Sequence, residues 1–100
     1  MMKNLMFISL LFAFGINLAN AAPPAKEMVC RTCHGEGGGK TLIPTYPKIQ
    51  GQNKAYLIQV LQAYKKGERK GGMAQLMTAQ ASMLSDAEIE ELAAYYSSQP

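Results

Sequence analysis

Cys30-Arg31-Thr32-Cys33-His34 is the stretch on which the reading of this chain turns. Its form is C-x-x-C-H. On a short helix, two thiols three residues apart lie on adjacent turns, and the next residue projects beside them. Two sulfur groups and one imidazole are thereby gathered on one side of the backbone. This is the attachment signature of a covalent c-type haem: each thiol forms a thioether with one vinyl group, and the imidazole binds the iron from the proximal side. His34 is the only histidine of the 100 residues, and Cys30 and Cys33 are the only cysteines, so the motif uses the whole supply.

Other uses of the pair are weaker on physical grounds. An exported chain tolerates a structural disulfide, but a bridge closing so short a loop constrains little of the unfolded ensemble. A thioredoxin-like redox pair belongs in a βαβ pattern, and no alternating strand run occurs in the sequence. A structural zinc site takes four protein ligands; two Cys and one His leave it short. Gly39-Lys40-Thr41 has the form of a phosphate-loop ending, yet His34 stands where that motif requires glycine, and no strand precedes it.

Residues 1–21 read as a signal peptide. Lys3 supplies a positive n-region, Leu5 to Phe14 an apolar h-region, and Ala19-Asn20-Ala21 a small-residue cleavage site. An uncleaved membrane anchor is the alternative, but the apolar run is interrupted at Gly15 and Asn17 and is short for a spanning helix. Cleavage near Ala21 is expected to deliver the chain to the periplasm with no stable membrane anchor. In bacteria thioether attachment of haem takes place outside the cytoplasm, so the leader and the C-x-x-C-H motif support each other.

Residues 22–100 suffice for one small domain, and a domain of that size buries little apolar surface by itself. A covalently held porphyrin is expected to complete its core. Loss of Lys3 takes ten basic residues to nine against seven acidic ones, a formal +2, which two haem propionates would bring near neutral. That balance, with no interleaving of aromatic and basic residues, argues against nucleic-acid binding.

The chain reads as all-α. A short helix is predicted from about Ala25 to Cys33, stopped by the glycines at 35 and 37–39. A loop with Pro44 and Pro47 follows. A second helix is predicted from Asn53 to Lys66, with Leu57, Val60, Leu61 and Tyr64 on one face and Gly67 at its end. A short helical segment is predicted around Ala74 to Ala81. The last helix opens on the capping box Ser85-Asp86-Ala87-Glu88 and carries the stripe Ile89, Leu92, Ala93 and Tyr96.

No second histidine exists, so the sixth iron ligand must be sought elsewhere. Methionine offers a soft, neutral thioether, and a Met/His pair raises the reduction potential. Met28 lies on the proximal helix, two residues before Cys30, and cannot reach round the haem. Met73, Met77 and Met83 lie in the segment that has to cover the distal face. Met77 is the first choice and Met73 the runner-up. Met73 follows two glycines, and Met83 abuts Leu84 and the last helix, where a core role is expected of it. Core packing is the alternative for all three.

With these residues in place, the chain resembles the class I small soluble bacterial c-type cytochromes, and within them the single-haem relatives of the tandem dihaem periplasmic cytochromes. The likeness runs through Cys30 to Gly35, Pro44 to Gln52, Tyr56-Leu57, Gln59-Val60-Leu61, Gly67-Glu68-Arg69, Met77, Leu84-Ser85-Asp86 and Ala93 to Tyr96. The resemblance implies three main helices plus a short one around one covalent haem, with the first and last helices crossing at Tyr95 or Tyr96. It aligns the distal ligand with Met77. It also implies that Pro44 offers its backbone carbonyl to the His34 imidazole, against the plainer reading that Pro44 only stiffens a loop. The length of the glycine run after His34 leaves the register of that loop open.

The expected function is therefore a periplasmic one-electron carrier, not an enzyme, exchanging electrons with respiratory complexes, a terminal oxidase, or a periplasmic reductase or dehydrogenase, and acting as a monomer. Two other classes stay open: a haem subunit of a periplasmic dehydrogenase complex, and a gas-binding haem protein with an open sixth position. Arg69 is a candidate partner for a haem propionate. Lys65, Lys66, Arg69 and Lys70 either steer an acidic partner or form a solvated helix end.

Overall fold

The computed structural model describes residues 22–100; the leader read at 1–21, with its cleavage site, lies outside the described residues. Among the described residues there are four α-helices and one 3-10 turn, and no strand. Helix α1 spans Glu27–His34, α2 Lys54–Lys65, α3 Ala74–Ala81 and α4 Asp86–Ser97, with the 3-10 turn at Glu36–Gly38. The all-α reading holds. Helix α1 starts later than expected because Ala25 and Lys26 form a turn, in which Glu27 N–H donates to the Pro24 carbonyl at 3.0 Å.

Helix α4 anchors the fold. Ser85 Oγ accepts from Glu88 N–H at 3.1 Å, and the Glu88 carboxylate accepts from Ser85 N–H at 2.9 Å, so two otherwise orphaned amides are satisfied. The stripe Ile89, Leu92, Ala93 and Tyr96 is buried throughout, as its helical spacing predicts. With Leu57 of α2 and Leu84 it forms the core, and Cys30, Ile49, Ile58, Leu61 and Tyr95 pack around it. Burying a side chain such as Ile89 or Leu92 contributes about 1.5–3 kcal/mol each.

The predicted face of α2 divides its work. Leu57 enters the core, whereas Val60, Leu61 and Tyr64 are half-buried and line a cavity beside it. Lys65, at the end of α2, donates to the Leu84 carbonyl at 2.5 Å and lies 3.9 Å from Asp86. It holds the start of α4 rather than belonging to a free cationic cluster.

The glycine run folds the chain back onto this core. Gly35, Gly37 and Gly38 all have positive φ, a region open chiefly to glycine. At Gly38 a Cβ would stand 2.6 Å from Ile49 Cγ1 and 3.0 Å from Tyr96 Cδ1. The carbonyl of Gly38 accepts from Ile49 N–H at 2.9 Å and Gln50 N–H at 3.1 Å, and Gly51 N–H donates to the Tyr96 carbonyl at 2.9 Å. These bonds fix the loop against the end of α4 and set which of its residues meets the imidazole.

Candidate functional site

His34 is the last residue of α1, and Gly35 closes the helix by donating its N–H to the Arg31 carbonyl at 2.9 Å. The His34 side chain is buried, with Nδ1 2.7 Å from the carbonyl oxygen of Pro47. A carbonyl can only accept, so Nδ1 carries the proton and Nε2 keeps its lone pair for a metal. The carbonyl that orients the ring therefore belongs to Pro47. This corrects the expectation that named Pro44: the bonds from Ile49 and Gln50 to Gly38 set the register, and it brings up the residue three positions later.

Two adjoining cavities of about 240 Å³ and about 450 Å³ open beside the imidazole. Cys30, His34, Pro47, Tyr64, Arg69 and Met77 line both of them. Cys33 lines the larger, while the smaller is walled by Leu57, Val60, Leu61, Leu92 and Ala93. The cysteines carry free, half-buried thiols. Burial pushes the Cys30 thiol above its ordinary range, with the nearby Glu27 adding to the effect and the Tyr96 hydroxyl opposing it.

The four methionines among the described residues are sharply distinguished. Met77 borders both cavities and Met73 only the larger. Met28 is 70 % exposed on α1 and Met83 63 % exposed, so the core role expected of Met83 is not what the fold gives it. Met83 N–H donates to the Gln80 carbonyl at 3.2 Å, in the turn after α3 that leaves the side chain facing solvent. Arg69 lies with its guanidinium carbon 4.7 Å above the centre of the Tyr64 ring, a cation–π contact at the cavity edge.

Tyr96, one of the two tyrosines foreseen between the first and last helices, reaches from α4 to α1. It is buried, packs edge-on against Tyr95 at 5.1 Å between ring centres, and points its hydroxyl toward Glu27 of α1 at 3.5 Å. Burial drives its phenol far above the ordinary range, and the charges of Cys30 and Glu27 act in the same direction. Glu27 went unread in the sequence: a carboxylate in the first turn of a helix reads as a solvated partner of the dipole. Its only signal was the spacing to Arg31, four residues on, which pairs with it at 2.8 Å.

The donor set fits a covalent haem. Two free thiols and an imidazole with its outer nitrogen available stand at one end of an apolar hollow, and a thioether side chain stands on the same hollow. Comparison with known proteins agrees. Residues 19–95 match the family described as cytochrome C oxidase, cbb3-type, subunit III. The chain is 49 % identical over 79 residues to cytochrome c-554(548) of Halomonas halodenitrificans, an alignment covering 79 % of this chain and 94 % of that protein. It is 38 % identical to cytochrome c4 of Stutzerimonas stutzeri over 96 % of its own length, and spans 51 % of the length of that relative. A protein named thiosulfate dehydrogenase electron acceptor, from Thiomonas intermedia, is 35 % identical over 77 % of this chain and 34 % of its own length. The C-x-x-C-H motif, the helices closed around an apolar hollow and these relatives converge, and the chain belongs to the cytochrome c family: it is a small bacterial c-type cytochrome of the class I all-α fold, an electron carrier whose cofactor is covalent haem c.

Proposed function

We propose that this cytochrome is a monohaem, periplasmic one-electron carrier in which Cys30 and Cys33 form the thioethers, His34 is the proximal ligand and Met77 the distal one. The observation that carries the reading is the place of Met77, the one methionine among the described residues that lines both cavities together with His34. When bound, the haem supplies a one-electron iron couple.

The chain's own residues bind, orient and shield. Pro47 fixes the imidazole ring and, by accepting the Nδ1 proton, raises the donor strength of Nε2. Met77 offers a soft, neutral sulfur. Leu57, Leu61, Leu92 and Ala93 keep water from the inner wall. Arg69, at the edge of both cavities, is placed to pair with a propionate through a charge-assisted bond. With His34 and Met77 both holding the iron, no position would be left for a substrate, which is the ground for reading a carrier rather than an enzyme and for setting aside the gas-binding alternative.

The exchange partners are redox proteins. Lys48, Arg69 and Lys70 border the cavities and have no carboxylate partner within ion-pair distance among the described residues, so an acidic partner surface is favoured. The relative named as an electron acceptor of thiosulfate dehydrogenase makes a periplasmic dehydrogenase a reasonable donor. Export rests on the leader sequence. Among the described residues no helix is long and apolar enough to cross a membrane.

Met77→Ala tests the reading. Wild-type oxidised protein should show the weak far-red band of sulfur bound to iron, and its reduced form should resist carbon monoxide. In the variant the band should vanish and carbon monoxide should bind. A band that survives the substitution assigns the ligand to another residue, with Met73 the next candidate.

A further inference from the structure

Glu27 has no part in the ligand set above, yet its side chain is fully buried at 0 % exposure. Arg31 grips one oxygen, Oε1, through Nε at 2.9 Å and Nη2 at 2.8 Å. The other oxygen, Oε2, faces the Tyr96 hydroxyl at 3.5 Å. Tyr96 and Cys30, the latter one turn along α1, both line the smaller cavity. The carboxylate thus stands one side chain behind the cavity wall, beside the first thioether position.

The two ends of the ion pair meet different surroundings. Arg31 keeps 37 % of its side chain exposed and also lies 3.8 Å from Glu36. Its charge is screened by water, while that of Glu27 is held where the dielectric is low. The field this pair sends into the cavity is accordingly negative. Stability alone is a poor explanation for the arrangement, because desolvating a buried pair offsets most of its attraction and an apolar pair of similar volume often does better. The Tyr96 phenol, pushed up by burial, stays neutral and can only donate to the carboxylate at working pH.

We propose that Glu27 tunes the reduction potential of the haem held at Cys30 and His34, its fixed negative charge behind the cavity wall favouring the oxidised iron. The proposal rests on the haem reading given above and deepens it. Glu27 touches neither iron nor ligand; it acts through charge alone.

The test compares Glu27→Gln with Glu27→Asp in the haem-loaded protein, reading midpoint potential by spectroelectrochemistry and melting temperature by circular dichroism. Both variants disturb the packing and lower the melting temperature. The amide removes the charge and should raise the potential; the shorter carboxylate keeps the charge and should leave the potential near that of the wild type. A potential unmoved in both variants, or moved equally in both, overturns the proposal and leaves Glu27 a structural residue. Should Glu27→Gln fail to mature, Glu27→Met provides the second reading: it removes the charge with an apolar side chain of similar volume and should raise the potential, and no change there overturns the proposal too. A wild-type protein with no haem spectrum would sink the haem reading itself, and this proposal with it.

Discussion

The Tyr96 phenol brings packing and ionisation together in one side chain. Its ring closes against Gly38 and Tyr95, and burial holds its proton far more tightly than the ordinary value of 10.0. The sign follows from linkage. A proton held more tightly in the folded than in the unfolded chain contributes stability that is full below the unfolded value and drains away as pH rises past it. Denaturant unfolding of the haem-loaded protein between about pH 8 and about pH 11 should therefore show falling stability. Tyr96→Phe should flatten that fall, while costing about 1 kcal/mol at neutral pH through loss of the hydroxyl contact to Glu27. An alkaline limb identical in the two proteins would exclude Tyr96 as its source. At this scale Cys30, Cys33 and His34 were legible because their spacing is local chemistry. Pro47 was not, because its meeting with His34 is fixed thirteen residues away by the positive-φ glycines and the double acceptor at Gly38. Periodicity carries no trace of either.

Among the elements, α3 lies at Ala74–Ala81, the range read from the sequence, and α4 begins at the expected capping box. Both were legible because glycines and a cap punctuate them. Ser85→Ala should lower stability by about 1 kcal/mol, measured by denaturant unfolding of the haem-loaded protein. The box also has a pH signature. The backbone N–H of Ser85 holds the Glu88 carboxyl below its usual range, and Lys26 and Lys65 act in the same direction. A carboxyl depressed by folding contributes stability that is present above its unfolded value and is lost as pH falls through the folded one. Glu88→Gln should make unfolding less steep on the acid side; an unchanged acid limb would show that the box does not depend on the charge. The faces of the helices were harder to read than their ends. Val60, Leu61 and Tyr64 share a stripe with Leu57, but only Leu57 is buried in the core, with Leu61 packed against it. A helix that walls a cofactor hollow and one that packs on protein show the same apolar spacing.

Across the whole molecule, one side is built to hold and the other to brace. The apolar hollow lies between the inner faces of α1, α2, α3 and α4 and the Pro47 loop, with Arg69 and Lys70 at its margin. Two acidic residues of α4 pair with lysines, Glu88 with Lys26 at 3.9 Å and Glu90 with Lys54 at 3.6 Å. Pairs this exposed stabilise little, but they leave Lys48 and Lys70 at the hollow without a carboxylate partner among the described residues and so open to an acidic partner. The proposal of one haem rests on the single C-x-x-C-H motif and single histidine of these 100 residues and on the two adjoining cavities that His34 and Met77 border. Cys30 and Cys33 hold the haem by covalent bonds, and mass spectrometry of the denatured native protein is the decisive test of that attachment. The expected mass is that of the chain from Ala22 plus one haem, retained through denaturation and lost as a covalent adduct when both cysteines are changed to serine. A native chain at its bare polypeptide mass, or a haem that falls away on denaturation, would contradict it.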